Sequence, residues 1–428
     1  MSDEQPQSKL QRFRSVLGSS VRGNLVSGIL ALIFMMLGAG FVKLTETALW
    51  ANNRSRFAKV LSRTPRDTKT VLAVFPHPST STVSKQLVES LGFNETTHEV
   101  RLLENVNLVL FYEHRNVDDT ARALKQRLQD PGIILVVGHE RSTTVQRMNA
   151  GVYEYEDADG SSDVAVPVPL ILPAATNPAL TATQLPPRRH ILRLPANDSQ
   201  QIDFIRKLVE GLKSKPKSVA VLCDKSNPTY ADYFGQELAA RSDLVDQSVG
   251  VELGGSDIPE SALTRDVVVV AGMERLGKVM LTRLRKRPDS KPGSVVFTDG
   301  VAGDIFEAAT KIKPPTKSLI LLTGPFPTSA PKGEKVSFPN YKPYGEILKL
   351  VAIQLIQDTQ EREKASAEPL TRKNVLATLQ SWLGDQKQHS PKQLTFRETG
   401  DSESGEMHAY EIRDGDVFHY RACGCANP

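Results

Sequence analysis

The chain has 428 residues, 39% of them apolar and 24% charged, with a formal net charge of +4. That composition excludes wholesale disorder and gives enough length for two or three compact units with a sizeable core. The densest basic run, Arg283 to Arg287, continues a helical pattern with few aromatics interleaved, which sets nucleic acid aside as a partner.

In chain order, the first feature is LVSGILALIFMMLGAGFV, Leu25 to Val42, eighteen residues without a charge. At about 1.5 Å of helical rise per residue it nearly spans a ~30 Å hydrocarbon layer, so 25–46 reads as a transmembrane signal anchor or as the core of a signal peptide. Gly38-Ala39-Gly40 matches a cleavage site weakly, no lipoprotein-type cysteine follows, and the leader 1–24 is long, which favours an uncleaved anchor. The leader carries four basic and two acidic groups, whereas Arg54, Arg56, Lys59, Arg63 and Arg66 follow the apolar run. Charge bias alone would therefore leave the bulk of the chain in the cytoplasm.

After a polar linker (47–69) strands and helices alternate. VLAVF (71–75), NLVLFYEH (107–114), IILVVG (133–138) and VPVPLIL (166–172) read as strands, and DTARALKQRL (119–128) as a helix. ILRLPANDSQQ (191–201) is a strand running into a polar crossing, after which SVAVLCD, DVVVVAG, SVVFTDG and SLILLTG repeat the scheme, with helices at YADYFGQELAARS, LGKVMLTRLRKR and near DIFEAATKI. Beyond 325 come two helices (345–358 and 371–384) and a strand pair. Continuous apolar runs imply strands covered on both faces, hence parallel α/β sheets in two lobes. Three cysteines exclude a disulfide framework, and Cys423 and Cys425 alone make half a zinc site in what reads as a frayed terminus.

Ligands of open α/β sheets bind beyond the carboxyl ends of the strands. Gly138 leads to Ser142, which reads either as the cap of its own helix or as one wall of an anion site. ILPAATNPALT (171–181) offers small residues, the Thr176 hydroxyl and an Asn-Pro turn. In the second half, Asp224 and Tyr230 follow one strand and Asp299 ends another. Backbone dipoles on one lobe and a carboxylate with an aromatic on the other suit a zwitterion. His77 and His139 sit at strand ends without partners at metal spacing and read as polar loop residues. No nucleophile–base motif, metal-binding helix, phosphate loop or dinucleotide fingerprint is present, so neither catalysis, a cofactor nor a metal is expected.

GHERSTTVQ, PLILPAATNPALT, RLPANDSQQ, VAVLCDKSNPTYADYFGQEL and VVFTDGVAGD, in that order and spacing, resemble the bacterial leucine/isoleucine/valine-binding protein family. These are the type I periplasmic solute-binding proteins of branched-chain amino-acid ABC transporters. The similarity spans about residues 70–422 and is densest across 133–240. It implies two Rossmann-like lobes with parallel sheets and a three-crossing hinge near 193–200, 323–328 and 391–397. Residues 70–193 with 326–392 would form lobe I, 194–325 with 393–422 lobe II, and 423–428 a tail. It also implies that Ser142, Ala174 and Thr176 hold a ligand α-carboxylate. Tyr230, or Tyr233 given the altered spacing, would cover the ligand, and Asp299 would hold its α-ammonium.

Asp299 is one methylene shorter than the glutamate usual there. The loop PHPSTSTVSK lacks the family's glycine-containing pattern and tyrosine, Met273 and Glu274 stand where an aromatic is common, EDADGSSD (156–163) resembles an acidic insertion, and the family's early disulfide is missing. Side-chain specificity is therefore open.

The resemblance implies a binding domain outside the cytoplasmic membrane, against the charge bias, and long domains translocate largely regardless of flanking charge. The resulting expectation is a single-pass inner-membrane protein. Its binding domain faces the periplasm or exterior and closes on an amino acid or similar small solute for an ABC permease or a membrane signalling protein. A degenerate domain of this fold, serving as a scaffold or sensor partner, is the alternative. An α/β enzyme has fold-level analogy only.

Overall fold

A computed structural model describes residues 68–420, apart from 95, 150–151, 156–165, 183–188, 252–257, 287–291, 302–317, 327–330, 337–339, 367–368, 386–394, 403–405 and 414–415. The chain divides into two units, and every described residue belongs to the second, Thr68–Pro428. The apolar segment 25–46, the acidic stretch 156–163, the helix expected near 304–312 and both tail cysteines lie outside the described residues.

The first layer is built from β1 (Lys69–Phe75), α1 (Thr82–Ser90), β2 (Glu99–Leu103), β3 (Val106–Tyr112), α2 (Val117–Arg127), β4 (Ile133–Gly138), α3 (Ser142–Asn149), β5 (Glu154–Tyr155), β6 (Val166–Pro167), β7 (Leu170–Leu172), α4 (Ala179–Ala182) and β8 (Ile191–Arg193). Its six strands lie in the order β2-β3-β1-β4-β7-β8, parallel except for β2. VLAVF and IILVVG are buried throughout, as runs covered on both faces must be. VPVPLIL does not form one strand. Val166–Pro167 pairs with β5, and only Leu170–Leu172 joins the sheet beside β4.

After α5 (Asp198–Glu210) a second sheet begins, made with β9 (Val219–Asp224), α6 (Pro228–Arg241), β10 (Val245–Val251), α7 (Glu260–Leu263), β11 (Val267–Ala271), α8 (Glu274–Lys286), β12 (Ser294–Phe297) and β13 (Leu319–Gly324). The chain then returns. α9 (Lys342–Ser366) packs on α1, and α10 (Arg372–Asp385) packs on α9 and β4. Buried Arg372 fixes this return by donating from Nε to the Ile133 carbonyl (2.9 Å) and from a terminal nitrogen to the Leu128 carbonyl (2.8 Å). The hairpin β14 (His408–Arg413) and β15 (Asp416–His419) completes the second sheet in the order β10-β9-β11-β12-β13-β14-β15, antiparallel from β13 onward. The architecture is mixed α/β with two mainly parallel sheets.

The expected single-pass inner-membrane placement is corrected. Among the described residues no helix is long and apolar enough to cross a membrane. The 25-residue α9 has the length, but Lys342, Glu346, Lys349, Asp358 and the EREK run charge it from end to end.

One buried group ties the segments at the edge of the first sheet together. Arg193, at the end of β8, has no exposed surface and pairs with Asp401 at 3.2 Å. It also donates to the carbonyls of Thr176 (3.0 Å) and Asn177 (2.6 Å) and to the Thr181 hydroxyl (3.3 Å). Asp401 in turn accepts from Thr181 and Asn197, and bridges between Arg193 and Asp401 and between Phe396 and Ser402 seat 396–402 beside β8. Burial lowers the Arg193 pKa, and Asp401 and Asp198 oppose that. Replacing Arg193 with Leu is expected to cost about 3–5 kcal/mol, read as a lowered urea midpoint, because it strands a carboxylate in a desolvated site.

Candidate functional site

Residues just past the ends of β4, β7, β9, β11 and β12 line one cavity, joined by Val83 of α1 and by Tyr341. Ser142, Ala174, Thr176, Tyr230 and Asp299 all lie on its wall, with Glu140, Asn227, Met273 and Gly300. Strand ends of an α/β sheet leave backbone N–H groups and short turns facing outward, which is why they gather at one edge.

On the first lobe, the turn out of β4 depends on Gly138. Its φ is +133°, and a β-carbon there would collide with the Val74 carbonyl of the adjacent strand. Ser142 is the first residue of α3 rather than its cap, and its hydroxyl accepts from the Asn177 N–H at 3.2 Å. The ILPAATNPALT loop is thereby tied to α3, while its carbonyls at 176 and 177 are held by Arg193. The Asn-Pro turn does start a short helix, α4, with Asn177 Oδ1 accepting from the Ala179 N–H at 2.9 Å. Its amide nitrogen donates across to the Thr229 carbonyl at 2.6 Å.

On the second lobe, Asp299 opens a 3₁₀ turn after β12. The next residue, Gly300, passes so close to Gly272 that a β-carbon would sit 2.5 Å from its carbonyl oxygen. The Asp299 carboxylate is buried and accepts from the hydroxyls of Tyr230 (3.2 Å) and Tyr341 (2.9 Å). Burial raises its pKa, and those two hydroxyls, Gln201 and the Gly300 backbone hold the rise back. Desolvation, reinforced by Asp299, pushes both tyrosines well above the ordinary phenol range, so they stay protonated donors.

Asp198, in the RLPANDSQQ stretch, is a second acid that sequence reasoning did not single out. It has no exposed surface, and neither carboxylate oxygen has a hydrogen-bond partner of regular geometry. Desolvation, then the charge of Asp299, pushes its pKa up to about 8, with the nearby Thr176 hydroxyl and Arg193 opposing the rise. Two buried carboxylates close to each other resist ionising together.

Strand-end segments of the two sheets are bonded to each other directly. The Thr143 hydroxyl donates to Asn227 Oδ1 (2.7 Å) and the Thr229 hydroxyl to Gln146 Oε1 (2.9 Å). Tyr341, whose N–H donates to Gln86 of α1 at 2.9 Å, brings its hydroxyl to Asp299. About 30 Å³ of the cavity is open to the centre of a water molecule. That is room for about two waters, against ~300–1,000 Å³ for a typical small-molecule site.

Other polar residues named from the sequence hold the scaffold. Asp224 accepts from the N–H groups of Ser226 (2.8 Å) and Met273 (3.0 Å), a turn former as its position suggested. Buried His139 is held between Glu113 (2.6 Å) and the Tyr153 hydroxyl, and exposed His77 bonds Ser79. Tyr233 does not reach the cavity wall, whereas Tyr230 does. The Glu274 side chain lies outside the described residues. Among the described residues, no group of His, Cys, Asp and Glu is placed to hold a metal. Sequence reasoning missed Tyr341, Asn227 and Glu140. Glu140 sits inside the quoted GHERS, where a charge between a buried strand and a helix start was the available signal.

No family model matches the chain, and no curated protein matches it in sequence. Solved structures do. A leucine-binding protein, LivK, of Thermotoga maritima MSB8 matches at 14% identity with a TM-score of 0.61, over 83% of this chain and 98% of that one. The isoleucine complex of the branched-chain amino-acid transporter substrate-binding protein LivJ of Streptococcus pneumoniae matches at 16% and 0.56, over 82% and 97%. An ABC-transporter solute-binding protein of Rhodopseudomonas palustris BisB5, bound to 3,4-dihydroxybenzoic acid, matches at 14% and 0.60, over 83% and 96%. Nearly the whole length of each is matched at an identity that speaks for fold alone. The chain has the type I periplasmic binding protein fold, shared with the leucine- and branched-chain amino-acid-binding proteins of ABC transporters.

Proposed function

We propose that this chain is a solute-binding protein, not an enzyme, whose lobes close on an amino acid or a similar small amine. The observation that carries the reading is the pairing across one cavity of the strand-end residues Ser142, Ala174 and Thr176 with the buried Asp299 carboxylate, which has Asp198 close behind it. A ligand carboxylate would sit against Ser142, Ala174 and Thr176. Its ammonium would replace the missing cation beside Asp299 and Asp198, with Tyr230 covering it. The likeness to solute-binding proteins that carry leucine and isoleucine supports the same reading. The partner receiving the closed form would be an ABC permease or a membrane signalling protein.

The lobes would be 70–193 with 326–392 and 194–325 with 393–422, hinged near 193–200, 323–328 and 391–397, with the Arg193–Asp401 bridge tying the chain just past the last crossing to β8. A ligand larger than two waters enters only when the Thr143–Asn227, Asn177–Thr229 and Tyr341–Asp299 bonds open, and it shifts the population by the contacts it makes in the closed state.

The small cavity and these direct latches favour one other reading, a self-closed domain that works as a scaffold or sensor partner. A thermal-shift screen of the full chain against amino acids, amides and short amines separates the two. A ligand at about 100 times its dissociation constant stabilises by about 2.7 kcal/mol. Asp299→Asn, which keeps the shape and an acceptor for one of the two tyrosines but removes the charge, is expected to abolish that shift. Silence from every compound on a folded chain gives the site to the scaffold reading.

Asp198 makes a second expectation. Its pKa rises from 3.8 to about 8 on folding, so the folded chain binds one more proton between those values. That contribution to stability is complete below the unfolded pKa and is lost as pH rises toward 8. Asp198→Asn is therefore expected to unfold at a higher temperature than the parent without ligand, by a margin that grows from pH 5 to about pH 8. A margin independent of pH would show that the carboxylate is not the cause.

A further inference from the structure

Glu140 is the acid in the cleft for which the roles above leave no use. It follows β4 by two residues, is 7% exposed and lines the cavity. One carboxylate oxygen, Oε2, accepts from the hydroxyls of Ser81 (2.5 Å) and Ser84 (2.7 Å). Ser81 is the N-cap of α1, and its oxygen accepts from the Ser84 N–H, so its proton is committed to Glu140. Two donors on one oxygen, at the positive end of a helix, hold this group as an acceptor. The other oxygen, Oε1, is buried with no partner. A buried carboxylate oxygen left without a donor is costly.

The charge around it has one sign. Glu140 and Asp299 are on the wall with Asp198 close by, and no Lys or Arg is among the described residues lining the cavity. Arg193, the cation that acts on Asp198, is already bound to Asp401 and two carbonyls. The ammonium assigned above to Asp299 and Asp198 is given no part at Glu140 Oε1, which keeps its own unfilled place on the wall. A branched aliphatic side chain would press against that oxygen and desolvate it further.

We infer that the ligand of this cleft carries a second amino group, received by Glu140, and so belongs to the small diamines and basic amino acids rather than to the aliphatic amino acids. This rests on the solute-binding reading and narrows it. The serine-rich PHPSTSTVSK loop, which departs from the resembled pattern, supplies the two hydroxyls that fix Glu140 in place.

Isothermal titration calorimetry of the full chain with L-ornithine, L-norvaline and 1,4-diaminobutane tests it, since norvaline is ornithine without the distal amine. A charge-assisted hydrogen bond of about 1.5–3 kcal/mol gives ornithine at least a ~10-fold preference over norvaline. Glu140→Gln is expected to bring the two within about twofold of each other. The wild-type comparison asks the same question should that variant fail to fold. Binding of diaminobutane without ornithine supports two-amine recognition with no part for a ligand carboxylate. Norvaline binding as tightly as ornithine overturns the inference and leaves the solute-binding reading standing. A folded chain that binds none of the three overturns the inference; if the wider screen is silent as well, the solute-binding reading falls with it.

Discussion

The Arg193–Asp401 pair is the constraint on which the cleft depends. A guanidinium with no exposed surface persists only if nearly all its donors are used, and here they reach three separate pieces of chain. The Thr176–Asn177 carbonyls are fixed, which sets the place of Thr176 on the cavity wall. The 396–402 segment is held beside β8, so one crossing cannot swing independently of the first lobe. Asn197, which donates to Asp401, also closes a capping box with Gln200 at the start of α5, and the residue after it is Asp198. The buried cation therefore sets the position of one anion-facing edge and of one acid at once.

The second lobe contributes charge that it does not neutralise. Asp299 is supported by two tyrosine hydroxyls, one from each side of the cleft, and Asp198 by almost nothing. Hydrogen bonds from neutral hydroxyls stabilise a carboxylate less than a cation does, so burial wins and both pKa values rise. On the proposed reading, closing the lobes without ligand would bury acids that favour holding protons, and closing them on an amine would replace those protons with a fixed cation, a difference that would favour the filled form.

Much of the fold was legible because buried parallel strands are continuous apolar runs. VLAVF, IILVVG, VAVLCD and VVVVA each appear where the pattern put them. The edge strands β2 and β10 were not seen, since Glu99–Leu103 is only half-buried and Val245–Val251 carries three consecutive polar residues, Asp246 to Ser248, in place of an apolar run. Pro167 and Pro169 broke the run that looked like one strand into two pieces. At the cavity, residues beside strand ends could be found from local pattern. Tyr341 could not, because it arrives on a crossing and is registered by a bond to Gln86, 255 positions away. Asp198 read as part of a polar crossing, and only its lack of exposed surface shows it to be more than that. The membrane expectation came from 25–46 alone, and nothing in the described residues carries it.

Specificity follows from which acceptors remain open once the scaffold has used its own. Asp224 is consumed by two backbone N–H groups, and Ser142 by the Asn177 N–H, so neither hydroxyl oxygen nor turn acid is waiting for a ligand. Glu140 is consumed on one side only. The two serines that saturate Oε2 also fix where Oε1 points, because Ser81 cannot turn away without uncapping α1. A flexible surface glutamate would follow any ligand; this one is set before the ligand arrives. A preorganised acceptor discriminates strongly against a ligand that leaves it empty, because the group then remains buried and unpaired. On the proposed reading, such an acidic, serine-braced wall would change what the cleft rejects more than how tightly it closes.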